Sequence, residues 1–428
     1  MHHSPSLVYQ RRFLRLNTRG AVLVSGLMIM AALTILGIAA MTTTTSEHTI
    51  SGNHLAATRA KYAAEAGLKH AIARFQIQAD QLTDQIKLQD LGVPMAKPEQ
   101  ANLTGQFGYW VNSLTYEPSN PPTYVDIESF GVVMGSRARA RAVVRLAYSP
   151  PPVIDYGVFG DTYVDMGGTS LVDSYNSCEA PYDPNNPGTN GDVGTNGSGG
   201  EAVYVGPTAD ILGDVAVGTG GDPIMDITLK GTISGTQTTL AEPKVLYPMY
   251  DNGGGTAETA DLSGGVKTLS GGDAGVAYRL PYIKLTSTAS LVVTGNVKLY
   301  VDGDVNIAGS ANITVAEGAS LTMYISGNMD LGGGAVVNLN ESPRQLTIYG
   351  TETMQQAKVH GNADFYGTLY APSAEIVLTG TTDFYGAAMG KTLEVGSRLH
   401  YDECLKQPGR AGSDVTFRVR FWEIGLAD

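Results

Sequence analysis

The sequence predicts an α+β region followed by an all-β region: one long N-terminal helix, a small antiparallel sheet, and then a β-solenoid. Three observations support this prediction. An apolar run near the N-terminus continues without a proline into an amphipathic pattern. A later stretch alternates strictly between small or apolar residues and arginines, as a half-buried strand does. Beyond residue 156, short β-rich segments and tight turns recur at intervals of 19 to 25 residues.

The apolar run covers Ala21–Met41, and no charged residue occurs between Gly20 and Ser46. As a helix, this run is ~31 Å long, enough to cross the hydrocarbon core of a bilayer. The residues before it include four arginines and no acidic residue. Because positive charge is retained in the cytoplasm, we expect the N-terminus to stay inside and the rest of the chain to be carried across the membrane.

After the apolar run, apolar residues recur at steps of three and four and so share one helix face. They are Ala57, Ala60, Ala64, Leu68, Ala71 and Phe75. Because most of them are alanine, a neighbouring helix could approach closely, and we predict that this face packs subunits together. A cleaved secretory signal is the alternative, but its apolar core is ~7–15 residues long and is followed by a break. One continuous helix over residues 21–82 is the simpler interpretation.

The composition limits the kinds of partner. The 428 residues are enough for two or three domains, and the net charge is −13. Such an acidic chain repels nucleic acid and acidic membranes, so no nucleic-acid partner is expected. There are two cysteines, Cys178 and Cys404. In an exported chain a disulfide between them is the simplest prediction, and two separately buried thiols are the alternative.

The N-terminal region contains several recognisable pieces. A basic leader, residues 1–20, ends in glycine, and the apolar run leads into a threonine tract at Thr42–Thr45. The sequences SGN at Ser51–Asn53 and YAAEAGL at Tyr62–Leu68 follow. Together they resemble type IV pilin-like proteins, and more closely the N-terminal module of PilX-type minor pilins. The resemblance implies cleavage by prepilin peptidase between Gly20 and Ala21. It also implies a single-pass form in the inner membrane, followed by packing among other pilin subunits in a pilus or at the cell surface.

One position departs from this pattern. Major pilins carry a glutamate at the fifth mature position, where this chain has Ser25. In pilins that carboxylate meets the amino terminus of a neighbouring subunit inside the membrane, where unpaired charge is costly. Its replacement by serine favours a tip subunit, an initiating subunit or a form retained in the membrane over repeated incorporation along a filament.

Residues 83–150 are predicted to form a small antiparallel sheet on the C-terminal half of the helix. Strand candidates begin at Phe107 and Tyr124, and the clearest covers residues 137–148. Its polar face carries Arg137, Arg139, Arg141 and Arg145. This row is either a solvated face or a surface that docks on an acidic neighbouring subunit. The prolines at 150–152 end the sheet and mark a domain boundary.

Residues 151–428 are predicted to form the β-solenoid, because related segments recur without helical periodicity. Tyr300, Tyr324 and Tyr349 are equivalent positions of three repeats. In a second pair of repeats, Phe365 and Phe384 should point into the core. The residues that should point outward and form ladders are Asp364, Tyr366, Asp383 and Tyr385. We expect Leu240–Tyr282 to leave the stack, and Val415–Ile424 to be a capping strand that covers one end of it.

This β-rich region also resembles an uncharacterised domain that is often attached to PilX-type N-termini. The segments that carry the resemblance are Val297–Val315, Leu369–Val395 and Leu399–Leu405. The resemblance implies a β-rich architecture and an attachment to PilX-type N-termini. It implies no established activity.

Four motifs could have a catalytic or ligand-binding role, and each also has a structural explanation. Gly386–Thr392 is one residue short of a phosphate-binding loop and is read as a chance match. Asp364 and Asp383 could be a glycosidase-like carboxylate pair, although ladders of this kind are usually structural. His400, Asp402, Glu403 and Cys404 could bind a transition metal or be a structural cluster. Oxygen-rich residues 183–192 could hold Ca²⁺, but turn chemistry explains their composition.

The sequence therefore predicts a non-enzymatic surface component with no catalytic, cofactor or metal site, in which Ca²⁺ is only a minor alternative. Its predicted partners are pilin subunits, prepilin peptidase and the inner membrane, with surface glycans bound by the tyrosine ladder as a further option. Two competing hypotheses remain. One is a membrane-anchored β-helix protein that binds or cleaves polysaccharide, and the other is a ligand- or calcium-binding surface module without a pilus role.

Overall fold

The structure is a computed structural model. It describes residues 18–79, 86–96, 106–118, 123–251, 253–273, 275–334, 336–361, 363–380, 383–407 and 416–427. Most of the predicted leader, residues 1–17, lies outside the described residues, as do residues 80–85 at the predicted end of the long helix.

The helical elements are one long helix and several short ones. Helix α1 covers Thr18–Ala79, 62 residues, and confirms the single long helix expected from the proline-free sequence. Helix α2 is one turn, Pro223–Asp226, and Asp222 caps it by accepting a hydrogen bond from the backbone N–H of Ile224. Three 3-10 helices cover Leu88–Leu91, Pro343–Gln345 and Glu403–Lys406.

The described residues also include thirty strands. The strands up to residue 239 are β1 Phe107–Tyr116, β2 Tyr124–Val133, β3 Arg139–Ser149, β4 Val158–Met166, β5 Leu171–Tyr175, β6 Val193–Thr195, β7 Val203–Val205, β8 Asp210–Ile211, β9 Val215–Val217, β10 Ile227–Leu229, β11 Thr232–Ile233 and β12 Gln237–Thr239. The next nine are β13 Thr256–Ala257, β14 Ala260–Leu262, β15 Val266–Ser270, β16 Val276–Leu280, β17 Ile283–Leu285, β18 Ser290–Thr294, β19 Asn296–Val301, β20 Val305–Ile307 and β21 Asn312–Val315. The last nine are β22 Ser320–Ile325, β23 Met329–Leu331, β24 Val336–Asn338, β25 Leu346–Gly350, β26 Gln356–Val359, β27 Phe365–Leu378, β28 Asp383–Val395, β29 Arg398–Asp402 and β30 Thr416–Leu426.

The small sheet is antiparallel, as predicted, and has the order β1-β2-β3-β30. Its fourth strand was not expected. β30 pairs with β3 from Ser149 opposite Thr416 to Ala140 opposite Leu426. The prediction that Val415–Ile424 caps the solenoid is therefore wrong for the described residues 416–424. Alternation identifies a half-buried strand but does not say which sheet receives it.

Helix α1 lies across one face of this sheet. Its stripe from Ala60 to Phe75 is buried, together with Val111, Ile127 and Val144 of the strands. The approach is close, since a Cβ added at Gly131 would lie 2.1 Å from the backbone oxygen of Ala60. The prediction that Ala60, Ala64, Leu68, Ala71 and Phe75 pack against other subunits is therefore wrong, because the chain's own sheet covers them. Ala57, at the start of the stripe, is only half-buried.

The remaining strands form a stack in which parallel partners lie about one repeat apart in sequence. The larger sheet has 22 strands, and a separate sheet has the order β15-β18-β21-β24. Tyr300 pairs with Tyr324 and Tyr324 with Tyr349, in the register that their spacing predicted. Inward-facing residues such as Leu299, Met323 and Ile348 form a continuous buried core. The β region is thus built largely from parallel strands.

The chain enters this stack in the middle. β4 to β12 extend it in one direction, and β13 to β29 extend it from the other end back towards β4. The two parts join where β28 pairs with β4 and β29 pairs with β5. The prediction that Leu240–Tyr282 leaves the stack is wrong for residues 256–282, which include β13, β14 and β16 of the main sheet.

The crossing segment, residues 240–251, connects the two ends along the outside of the stack. The backbone N–H of Lys244 donates to Asn196 Oδ1, and the Tyr370 hydroxyl donates to the carbonyl of Tyr247 at 2.9 Å. Met249 forms an isolated parallel β-bridge with Thr351. These contacts cover outward-facing tyrosines of the main sheet, which explains why Tyr349 and Tyr370 are buried.

Candidate functional site

The apolar half of α1 leaves a long row of large apolar side chains uncovered. Among the described residues, one helix, over Val22–Phe75, is long and apolar enough to span a membrane, and its most apolar window is not buried in the protein. Leu23, Leu27 and Leu36 are all more than 60% exposed. Exposed apolar area of this size marks a surface that meets lipid or other protein.

The threonine tract after this apolar run suits an environment without water. The hydroxyls of Thr42, Thr43 and Thr44 donate to backbone carbonyls one turn earlier, at 2.8 to 3.0 Å. Thr49 makes the same bond to Thr45 at 2.9 Å. Because the helix satisfies these hydroxyls itself, they do not require water or a partner chain.

The predicted processing position lies near the start of this helix. The backbone of Gly20 and Ala21 belongs to α1, which begins at Thr18. The Ser25 side chain is exposed on the same helix. The predicted cleavage bond therefore lies within α1, at the N-terminal end of the apolar run.

Two of the four arginines in the predicted row, Arg141 and Arg145, are paired within the sheet. Arg145 forms two hydrogen bonds with Asp126, at 2.8 and 2.7 Å, and Arg141 is paired with Glu128. The hydrogen bonds to Asp126 are also the main reason that the pKa of Arg145 is raised. At these two arginines the pairing favours a solvated face over a surface that docks on an acidic neighbour, because their charge is already compensated.

Cys178 and Cys404 are joined in the structure, with their Cα atoms 5.6 Å apart. The bond links the turn after β5 to the 3-10 helix after β29, two strands that pair with each other. A guanidinium nitrogen of Arg344 donates to the carbonyl of Cys404 at 2.9 Å. The disulfide therefore fastens the place where the two parts of the stack meet.

The ladder predicted from DFYG is formed, but a loop covers part of it. The rings of Phe365 and Phe384 stack in the core with centroids 4.6 Å apart. Tyr366 and Tyr385 stack on the outer face, 4.4 Å apart and nearly parallel. Tyr182 packs edge-on against Tyr385, which is consequently buried. Burial is also the main cause that raises the pKa of Tyr366 to about 12.

The predicted carboxylate pair is engaged in structural contacts. The backbone N–H of Asp383 donates to Asp364 Oδ1 at 3.2 Å, and Arg398 holds Asp383 Oδ1 at 2.6 Å. A retaining glycosidase requires a nucleophile and a protonated acid that face the same bond. In these contacts Asp364 binds the start of β28 and Asp383 pairs with Arg398 of β29, so both carboxylates link neighbouring strands and the geometry favours the structural role.

His400 is a buried histidine of the stack that contacts a carboxylate and two tyrosine rings. Its Nδ1 lies 2.6 Å from Asp173 Oδ1, while the Tyr182 hydroxyl donates to Asp173 Oδ2 at 2.7 Å. The imidazole packs against the rings of Tyr182 and Tyr385, with centroids 4.0 and 4.8 Å away, and these two rings also contact each other. Both His400 and Asp173 are buried. Burial is the main cause that raises the pKa of Tyr182, so its phenol remains a donor.

The structure separates the other members of the predicted His400 cluster. Asp402 accepts hydrogen bonds from Ser177 and from the backbone N–H of Cys404, and Cys404 is in the disulfide. Sequence reasoning missed Asp173, because the pairing of β29 with β5 brings it to His400 from a distant segment. No local pattern in the sequence signals that contact.

The two remaining motifs take ordinary structural positions. Gly386–Thr392 lies within β28, so it lacks the loop before a helix that binds phosphate. In residues 183–192, Asp183 accepts from the backbone N–H of Asn185, and Asp192 accepts from that of Asp214. Over the part of the chain that the structure describes, no group of three or more His, Cys, Asp and Glu side chains is arranged to hold a metal ion.

Comparison with protein families gives two matches. Residues 19–69 match the family model described as PilX N-terminal. Residues 251–408 match a model described as a domain of unknown function, DUF7305. No curated protein matches the chain.

Two solved structures share features with the chain at low similarity. The competence-associated pilin ComZ from Thermus thermophilus is 11% identical, with 87% of this chain and 98% of that chain covered and a TM-score of 0.29. An ice-binding protein from the Antarctic ascomycete Antarctomyces psychrotrophicus is 13% identical, with 57% and 94% covered and a TM-score of 0.24. TM-scores this low do not establish a shared fold with either structure. From the family matches, the N-terminal part of the chain is a pilin-like module, and it is joined to a largely β region that contains a domain of unknown function.

Proposed function

We propose that this chain is a non-enzymatic component of a type IV pilus or a related surface filament. The observation that carries the proposal is the division of α1 into two halves. The C-terminal half packs on the chain's own sheet, while the N-terminal half is apolar and uncovered. Such a helix has its folding partner on one half and needs lipid or neighbouring helices on the other.

The same helix serves two stages in this proposal. In the inner membrane, Ala21–Met41 spans the bilayer, with the arginine-rich residues before it in the cytoplasm. Prepilin peptidase then cuts between Gly20 and Ala21, and the apolar half packs among the helices of other pilin subunits. Small residues such as Gly26, Ala31, Ala32 and Gly37 on this half allow close approach of helices.

Ser25 limits how the subunit is used. The carboxylate that pairs with a neighbouring amino terminus in major pilins is absent at this position. We therefore propose a tip or initiating subunit, or a form that stays anchored in the membrane, over a subunit repeated along the filament.

The parallel stack is, in this proposal, a β-solenoid displayed outside the cell as a rigid structural or adhesive element. Rigidity is supported by the long in-register ladders, such as Tyr300, Tyr324 and Tyr349, and by the disulfide across the junction of its two parts. A role in binding or cleaving glycans receives less support, since Tyr182 covers Tyr385 and Arg398 holds Asp383.

Replacement of Gly20 by glutamate tests the proposal. Blocked processing should leave the full-length chain in the inner membrane and remove it from the sheared surface fraction. Gly52→Glu is the matched control on the same helix, because it makes the same substitution beyond the apolar run and the cleavage site, and a Cβ there meets nothing within 4 Å. Surface display of the Gly20→Glu chain at the level of the control would contradict the pilin role.

A further inference from the structure

The two ends of the parallel stack expose strand edges with no partner among the described residues. One end is the coil formed by β10, β11 and β12, and the other is the coil formed by β13, β14 and β15. A stack of this kind needs its ends covered, since each coil buries its inner face on the next. The strand that the sequence suggested as a cap, β30, belongs to the small sheet.

Side-chain burial along one column shows what the end coils lack. Leu229 of β10 begins a column of inward-facing apolar residues that continues, through parallel pairing, to Leu262 of β14. Every member between them is at most 8% exposed: Val205, Met166, Val395, Leu378, Val359, Leu331, Ile307 and Leu285. Leu229 itself is 42% exposed and Leu262 is half-buried. These two leucines are missing the neighbour that one more coil would supply.

The two ends match each other in geometry. β10 and β14 terminate the same column of the main sheet, and β12 and β13 terminate a second. All strands of both columns run parallel. If a second copy is placed end to end, β14 continues the column of β10 in the same direction, with Leu262 next to Leu229 and Ala260 next to Ile227.

The facing side chains are compatible with this contact. In the extended register, Thr238 of β12 lies beside Ala257 of β13, and Thr228 of β10 beside Asp261 of β14. No pair of like charges is brought together in these two columns, although the chain as a whole is strongly acidic. In these two columns the strands of two copies can therefore pair without direct contact between like charges.

We infer that the β region associates with a second copy of this chain end to end, through parallel pairing of the β10–β12 coil of one copy with the β13–β15 coil of the next. Such a contact joins two different surfaces, so it is heterologous and can extend into a row of subunits. The pairing surface is short, with three, two and three residues in β10, β11 and β12. We therefore expect weak association that depends on concentration.

Cysteine cross-linking tests this inference independently of any pilus role. The double variant Thr238→Cys with Ala257→Cys puts one thiol at each end. Within one chain the two positions terminate a column of eleven strands, and ten steps of ~4.8 Å put them roughly 48 Å apart, so they can link only between copies. In full-length protein purified in detergent, mild oxidation should give a reducible ladder of dimers and larger species.

Two further variants make the result decisive. Thr238→Cys with Lys358→Cys, the latter on the outer face of β26, should give no ladder. Adding Leu229→Asp to the reactive double variant should reduce its ladder at least tenfold, with an unchanged melting temperature as the check on folding. Absence of the ladder, an equal ladder from the Lys358 control, or a ladder that Leu229→Asp leaves intact would overturn the inference.

Discussion

The ring of Phe417 packs edge-on against that of Phe75, with centroids 5.2 Å apart and planes at 84°. This contact joins the last strand of the chain to the long N-terminal helix. The stack is inserted between them in sequence, so the chain leaves the small sheet at Ser149 and returns to it at Thr416. The pilin-like sheet is therefore completed only after the whole β region has been synthesised.

Phe417→Ala should destabilise the small sheet by about 3 kcal/mol, because it removes a buried aromatic side chain and leaves a cavity against Phe75. Phe421→Ala is the control on the same strand, since Phe421 is 50% exposed and should cost much less. Urea unfolding followed by tryptophan fluorescence reports on this sheet, which contains Trp110 and Trp422. Equal effects of the two substitutions would contradict the packing of β30 on α1.

Gly131→Ala should separate the sheet from the helix. A Cβ at residue 131 would lie 2.1 Å from the backbone oxygen of Ala60 and 2.3 Å from the backbone nitrogen of Ala64, and neither can move without shifting α1. Overpacking of this kind costs about 1–3 kcal/mol or more. Gly425→Ala on β30 is the control, because nothing lies within 4 Å of its added Cβ. We expect a lower melting temperature for Gly131→Ala alone, and an unchanged value would mean that the helix does not approach this closely.

The disulfide should stabilise the junction between the two parts of the stack. It closes a loop with a sequence separation of 226 residues. Its loss, by reduction or in the variant Cys178→Ser with Cys404→Ser, should cost about 2–5 kcal/mol. Hydrogen exchange should then rise first in β4, β5, β28 and β29, which meet at this junction. If reduction leaves both stability and exchange unchanged, the bond does not secure the junction.

The partly buried carboxyl group of Asp192 should make the stability of the protein depend on pH. Burial is the largest cause that raises the pKa of Asp192, and the backbone N–H of Asp214 partly offsets it. The folded pKa of Asp192 lies above its unfolded pKa. The contribution of Asp192 to stability therefore falls as pH rises from the unfolded pKa through the folded pKa, and it is least favourable at neutral pH. Asp192→Asn keeps the acceptor for Asp214 and removes the charge.

The variant Asp192→Asn should therefore melt at a higher temperature than the parent at pH 7, and the difference should shrink as pH is lowered towards the unfolded pKa of ~3.9. Thermal melts at several pH values measure this difference. Asp273→Asn, on an exposed turn, serves as the control. A difference that grows on acidification would have the wrong sign for this account.

Local patterns predicted much of the fold. The apolar run without proline predicted α1, and the alternation before Tyr148 predicted β3. The even spacing of Tyr300, Tyr324 and Tyr349 predicted their register. Each of these features depends on periodicity within a short segment, which a sequence displays directly.

The parts that sequence could not predict depend on which distant segments meet. The alanine-rich stripe indicated a buried helix face, but an apolar face packs equally well on a neighbouring subunit or on the chain's own sheet. β30 alternates correctly, and it joins β3 after an insertion of more than 250 residues. Asp173 and His400 meet only because β29 pairs with β5, a pairing that no local signal specifies.

The central claim is that α1 is first a membrane span, is trimmed before Ala21, and then holds the β region on a surface filament. The most direct test is the N-terminal residue of the chain in sheared surface material, determined by mass spectrometry alongside the inner-membrane fraction. The account predicts chains that begin at Ala21 in the surface material. Surface chains that begin at Met1, or that begin beyond the apolar helix, would contradict it.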